Sequence, residues 1–319
     1  MVVEFADPIL QSLLLGSLYT MMAVGLTMTY AVTRVPNFAH AEFITVGAYT
    51  SVAVVNVLGR GPVESFVLAF LASAGVALAS DELVFKPLFR RGATPLHLLV
   101  ASIGLGLVIR YVLSIVVGSY DFLVVKSRII KETLFSIGGS PFTNLHAWAI
   151  PTTVALVIVL YLLFTGTRLG KAMRAMASNF DLARVAGIKT AQVRRFTWLL
   201  AGGLGGLGGA FWSVNVPITP ETGWGILLWL FAASILGGFV SYWGTIAGGY
   251  VVGFAENLGI SALHNAFGVS LSYRPMIALV IIVLVFLIRP QGFTGVTMGD
   301  FGKLARRWFA RMRASLGRG

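Results

Sequence analysis

The sequence predicts an all-α protein, a polytopic bundle of about eight or nine transmembrane helices, on three observations. Hydrophobic residues make up 57% of the 319 and charged residues only 11%. A soluble domain needs about 25% charged residues to keep its surface hydrated, so lipid is the solvent this composition fits. Apolar runs of spanning length recur along the chain, bounded by charges, Gly or Pro. Basic residues crowd into alternate connecting segments, as the positive-inside bias requires.

The runs fall at about 9–33, 43–58, 64–84, 97–118, 147–165, 198–216, 224–240, 244–262 and 273–289. The first is preceded by Glu4 and Asp7, where a signal peptide would be basic, and it is too long for a signal core. It reads as a retained helix. The second is short and follows Val35-Pro36-Asn37, so it either spans or re-enters. Spanning gives nine helices with the N-terminus outside; re-entry gives eight with the N-terminus inside. With nine spans, the segments 34–42, 85–96, 166–197 and 241–243 and the tail from Arg289 face the cytoplasm and hold 18 of the 24 Lys and Arg. The outer face keeps Arg60, Lys126, Arg128 and Lys131, with Arg110 and Arg274 near span ends. This places the protein in the cell membrane with its C-terminus in the cytoplasm.

The formal charge of +12 therefore sits beside the membrane and does not call for nucleic acid. Domain organisation reads as one transmembrane unit, 1–295, followed by a basic tail, 296–319. In that tail Phe301, Leu304, Ala305, Trp308, Met312 and Leu316 recur at helical spacing among Lys303, Arg306, Arg307, Arg311 and Arg313. The pattern suits a helix on an anionic leaflet. The outer segment 119–146, with Gly118-Ser119-Tyr120-Asp121 and Gly138-Gly139-Ser140-Pro141, reads as a loop long enough to meet a partner.

Several chemistries are excluded. Gly203-Leu204-Gly205-Gly206-Leu207-Gly208 matches GxGxxG, but it lies inside an apolar span with no preceding strand. The glycines Gly202, Gly205, Gly206, Gly209, Gly244 and Gly248 instead form GxxxG-type pairs that let helix backbones approach in lipid. No Walker A loop is present, because Gly170-Lys171 is followed by Ala172, so ATP is not bound by this chain. There is no HExxH or GxSxG, the four histidines are scattered, and no cysteine is available as nucleophile or ligand. The chain reads as no enzyme, with no metal and no cofactor of its own. Glu256 is the one clearly intramembrane acid, expected to pair with a polar neighbour. Asp81 and Glu82, at a span end beside Lys86, are expected at the interface.

Within 166–197, Ser178 reads as a helix cap with Asp181 three residues on, and Leu182, Val185 and Ala186 form an apolar stripe ended by Gly187. So short a helix is unstable alone in water, and its stripe needs a covering surface.

Four stretches then resemble one family, the branched-chain amino acid ABC transporter permeases of the LivH/LivM type, nearest the LivH half. The segment from Gly170 through Arg174, Ala175, Asn179, Leu182, Ala183, Val185 and Gly187 to Ile188 resembles its coupling loop. Asn37-Phe38-Ala39-His40-Ala41-Glu42, leading to Gly47, resembles its NFAHGE signature, with Ala41 in place of Gly. Leu236-Gly237-Gly238 through Gly248-Gly249 to Glu256 resembles its Gly-rich penultimate region, with Trp243-Gly244 where Pro-Gly is usual. Arg289-Pro290-Gln291-Gly292 to Gly295 resembles its closing RPxGxxG.

The resemblance implies an ABC importer permease fold. It also implies a second homologous permease subunit, two cytoplasmic ATP-binding subunits that hold ATP and magnesium, and an extracytoplasmic substrate-binding protein. It assigns ATPase coupling to the residues of the first stretch. Asn37, Phe38, His40 and Glu42 at the break, with Glu256, are candidates for the translocation pathway. Urea or short amides are the alternative cargo within the family. An ion-coupled secondary transporter is the alternative outside it, and only Glu256 speaks for that.

Overall fold

Without water to satisfy them, backbone groups in lipid must bond within their own segment, which leaves helices as the element these apolar runs can form. The computed structural model describes residues 2–120, 123–288 and 292. Its helices are α1 (Val2–Thr33), α2 (His40–Asn56), α3 (Pro62–Ser80), α4 (Lys86–Arg90), α5 (Pro95–Gly118), α6 (Asn144–Gly166), α7 (Arg168–Ser178), α8 (Phe180–Val185), α9 (Thr190–Asn215), α10 (Thr222–Gly237), α11 (Tyr242–Phe254), α12 (Ile260–Phe267) and α13 (Arg274–Ile288). The tail and most of the closing Arg289–Gly295 motif lie outside the described residues.

The helices sort into an interior set and a lipid-side set. α1 packs against α9, α11, α10 and α6, and Leu14, Leu18, Tyr19, Met22 and Leu26 along it are buried. α2 and α9 pack on each other and both pack on α3. By contrast α5 exposes Val100, Val108, Val112, Ile115 and Val116, and α13 exposes Leu279, Val283, Leu284 and Leu287. Apolar side chains on those outer faces have lipid as their natural environment.

Among the described residues six helical stretches are long and apolar enough to cross a membrane: Asp7–Thr33, Pro62–Arg90, Pro95–Gly118, Asn144–Gly166, Tyr242–Phe267 and Leu271–Ile288. The other three expected runs are helices too, α2, α9 and α10, but they fall short on length or composition. The reason is physical. α2 opens on His40 and Glu42, and α9 opens on Arg194 and Arg195 and then turns glycine-rich. Helices enclosed by other helices need close packing more than greasy surface.

That closeness is supplied at defined crossings. A Cβ on Gly47 would strike the backbone of Gly206, one on Gly209 the carbonyl of Ile44, and one on Gly202 the helix α3 at Ser73 and Ala77. Gly244 meets Gly237, Gly248 meets the Ala233 carbonyl, and a Cβ on Gly205 would come within 3.3 Å of the ring of His40.

Two helices contain a π-helical turn, at Asp81–Phe85 between α3 and α4 and at Ala255–Gly259 between α11 and α12. Each holds a buried acid, Asp81 or Glu256. Asp81, expected at the interface from its place at a span end, is fully buried among the helices, where Arg194, more than a hundred residues away, neutralises it.

The segment 119–146, expected as a loop, contains a β-hairpin of β1 (Thr133–Ile137) and β2 (Ser140–Thr143), with Ile137 opposite Ser140. Gly138 and Gly139 have φ of +56° and +82°, the left-handed pair that a two-residue hairpin turn demands and that glycine adopts without strain. Lys131, just before it, donates to the Asn215 side chain at 2.6 Å and to its carbonyl at 3.0 Å, fastening this segment to the end of α9. Partial burial, then the neighbouring Lys126, push the Lys131 ammonium below the usual lysine range.

Candidate functional site

The arm 166–197 is anchored on one side and bare on the other. Thr167 caps α7, its hydroxyl accepting from the Gly170 amide at 3.0 Å. Gly170 lies so close to Leu163 and Phe164 that no side chain fits there. Arg174 donates to the Phe164 carbonyl, and Met173 and Met176 are buried beneath the arm.

The chain then breaks at Asn179, whose side chain accepts from the Leu182 amide at 2.9 Å and starts α8. The cap is thus Asn179 and not Ser178, which ends α7. An extended residue was needed between the two helices, and Asn179 takes that conformation at φ −151°. Gly187, at φ +80°, closes α8, with Ile188 donating back to the Ala183 carbonyl at 3.1 Å.

The residues assigned to coupling therefore separate by role. Ala183 is buried against the bundle, Ala175 and Ile188 are half-buried against it, and Asn179 and Gly187 shape the helix ends. Leu182 and Val185 are 65% and 85% exposed. Two aliphatic side chains are thus held outward on a capped, six-residue helix.

The second region is the break before α2. Asn37 accepts from the Ala39 amide at 3.1 Å, and the Phe38 amide donates to Ser102 on α5 at 3.2 Å. The Phe38 ring lies between Trp224 and Phe231 of α10. His40 donates from Nε2 to the Met22 carbonyl at 2.9 Å, and Glu42 accepts from Arg110 at 2.5 and 3.1 Å. Arg110, expected near a span end, lies well inside α5 with its guanidinium 5.0 Å over Trp224. Gly223 of α10 makes room beside the Ala41 carbonyl and donates to Thr45 at 3.0 Å. Three buried polar atoms at this break have no partner among the described residues: Asn37 Nδ2, His40 Nδ1 and Glu42 Oε2.

Glu256 is not part of that cluster. It accepts from the Tyr19 hydroxyl at 2.6 Å, where α1 meets the π turn after α11, and the Tyr19 ring stacks with Trp229 and Trp212.

A third feature escaped the sequence reading. Arg194 grips Asp81 through three hydrogen bonds of 2.5 to 2.9 Å, and Glu82 pairs with Lys86 and Arg195. Together these strap the α3–α4 junction to the start of α9, the helix into which the arm leads. The signal available in advance was the placement of five charges at the ends of apolar runs.

This chemistry is that of packing and latching. Among the described residues no group of three His, Cys, Asp or Glu side chains is placed to hold a metal.

The family described as "Branched-chain amino acid transport system / permease component" matches residues 8–288. The chain is 35% identical over 303 residues to the probable branched-chain amino acid transport permease protein LivH of Methanocaldococcus jannaschii, covering 92% of this chain and 93% of that one. It is 26% identical to the high-affinity branched-chain amino acid transport system permease protein LivH of Salmonella typhimurium, covering 91% and 96% of the two chains. Among solved structures it is remotely similar to "PsaBC from Streptococcus pneumoniae in complex with Fab", at 13% identity and a TM-score of 0.49 over 91% of this chain and 97% of that one. With nearly its whole length matched, the chain belongs to the permease component family of branched-chain amino acid transport systems.

Proposed function

We propose that this membrane permease forms half of the path through an ABC importer for branched-chain or related hydrophobic amino acids. The observation that carries this is α8. A helix with Ala183 packed inward and Leu182 and Val185 held outward is the shape of a socketed joint. Its base, α7, is locked to α6 through Gly170 and Arg174, so force on α8 passes to the bundle. A path protein without a nucleotide site needs such a joint, because the free energy of ATP must enter from elsewhere.

In this reading two ATP-binding subunits, which hold ATP and magnesium, dock on the α8 surfaces of this permease and a homologous second one. A substrate-binding protein delivers the amino acid to the face bearing the hairpin. The arm, the α4 end and the C-terminus face the cytoplasm, which the charge bias supports. Counting α2, α9 and α10 with the six longer stretches gives nine spans and an outside N-terminus. Asn37, Phe38, His40 and Glu42 line or gate the path; the unpartnered polar atoms of Asn37, His40 and Glu42 at a helix break support this, since irregular backbone at membrane depth is tolerated beside a cavity. Glu256 fastens α1 to the π turn and stands outside the path.

Replacing Leu182 and Val185 together by Asp is expected to abolish uptake of radiolabelled leucine in whole cells while the protein still inserts and purifies at its normal size. If uptake persists and the ATP-binding subunits still co-purify, the joint is misassigned. If the parent transporter takes up urea and not leucine, the amino-acid part of the reading is wrong and the joint stands.

A further inference from the structure

A cleft of about 410 Å³ opens between the end of α4, the helix α8 and the start of α9. Lys86, Arg90, Arg184 and Arg194 line it, together with Phe89 and Phe180. Two of the four cations are already neutralised, Arg194 by Asp81 and Lys86 by Glu82. Arg90 and Arg184 are exposed, and no carboxylate lies within ion-pair distance of either among the described residues. The cleft thus presents two unspent guanidinium groups, whose planar forks match phosphate oxygens.

Its other wall is apolar. Phe89 and Phe180 meet edge to face at 5.5 Å, and Leu83, two turns above Arg90, is 76% exposed on the same span. Arg90 is the last residue of the Pro62–Arg90 span, so its charge stands where a span leaves the hydrocarbon. Cations at headgroup depth with bare apolar surface above them suit one ligand chemistry, a phosphate that carries acyl chains.

We propose that this cleft binds the headgroup of an anionic phospholipid, with the phosphate between Arg90 and Arg184 and an acyl chain rising past Phe89 and Leu83. Because Arg184 belongs to α8, the bound lipid ties the joint to the end of the α3–α4 span. The proposal rests on the orientation given above, but it is read out by lipid retention without transport, so the two can fail separately.

The test is native mass spectrometry of the detergent-solubilised complete transporter, titrated with cardiolipin or with phosphatidylcholine. The parent should retain cardiolipin and release phosphatidylcholine. Arg90→Gln with Arg184→Gln should weaken cardiolipin retention roughly 25-fold, about fivefold for each surface cation. Arg90→Lys with Arg184→Lys keeps the charge and should recover most of it, which separates the site from a damaged fold. Unchanged retention in the double Gln variant overturns the proposal. Displacement by inorganic phosphate alone would mean a soluble anion in place of a lipid. Retention by the free permease that vanishes once the ATP-binding subunits are bound would mean that acidic side chains of those subunits fill the cleft, and also overturns it.

Discussion

Asp81→Leu is expected to cost about 3–5 kcal/mol and to leave little folded protein, because it strands the Arg194 guanidinium in a buried site with no counter-charge. Arg194 has only 6% of its surface exposed and spends three hydrogen bonds on this one carboxylate. Removing the partner removes the bonds and keeps the desolvation cost. The double variant Asp81→Leu with Arg194→Met should regain most of the loss, since two apolar side chains of similar bulk replace both charges at once. The readout is the temperature at which the detergent-solubilised protein loses its monodisperse size-exclusion peak. A double variant as unstable as the single one would mean that the pair itself, and not charge balance, holds the α3–α4 junction to α9.

Gly47→Val should be comparably severe, for a steric reason. The new Cβ lands on the Gly206 backbone, and a backbone cannot rotate away as a side chain can. Overpacking in a core typically costs about 1–3 kcal/mol where neighbours can shift, and here the whole α2–α9 crossing must separate. Gly104→Val on α5 is the control. Nothing lies within 4 Å of its added Cβ, so folded yield should match the parent. Equal yields for the two variants would contradict the close crossing.

How much of this was legible beforehand follows from the range of each interaction. Hydrophobic runs are local, so every helix of ten or more residues coincides with an expected run, α7 aside, although α1 begins at Val2 and α9 at Thr190, well ahead of runs expected from 9 and 198, and α11 ends at Phe254 where its run continues to 262. That arm helix carries too many charges to register as an apolar run. The hairpin was hidden because its strands are four and five residues long and their cue, Gly138-Gly139, reads equally well as a loop. The cap slipped by one residue because Ser178 and Asn179 are both capping types; only the extended backbone of Asn179 decides between them.

The ion pairs were out of reach for a different reason. Glu42 meets Arg110 and Asp81 meets Arg194 across 68 and 113 residues, and no local pattern links such positions. The break at Asn37–Glu42 was recognisable from its polar residues, but its partners on α5 and α10 appear only in the folded bundle. The GxxxG pairs marked which helices cross closely without naming what they cross. Gly47, which meets Gly206, and Gly223, which meets Ala41 on α2, have no glycine four residues away and gave no cue to these crossings.

The central claim is that α8 is where ATP-binding subunits engage this permease, and the chain offers a clean test because it contains no cysteine. Val185→Cys and, on the exposed hairpin, Phe135→Cys each introduce a single thiol. In membranes containing the complete transporter, a short thiol–amine cross-linker should join position 185 to an ATP-binding subunit and leave position 135 unjoined to it. If position 185 reacts with a soluble maleimide yet joins no ATP-binding subunit, or if position 135 joins one, the account is contradicted.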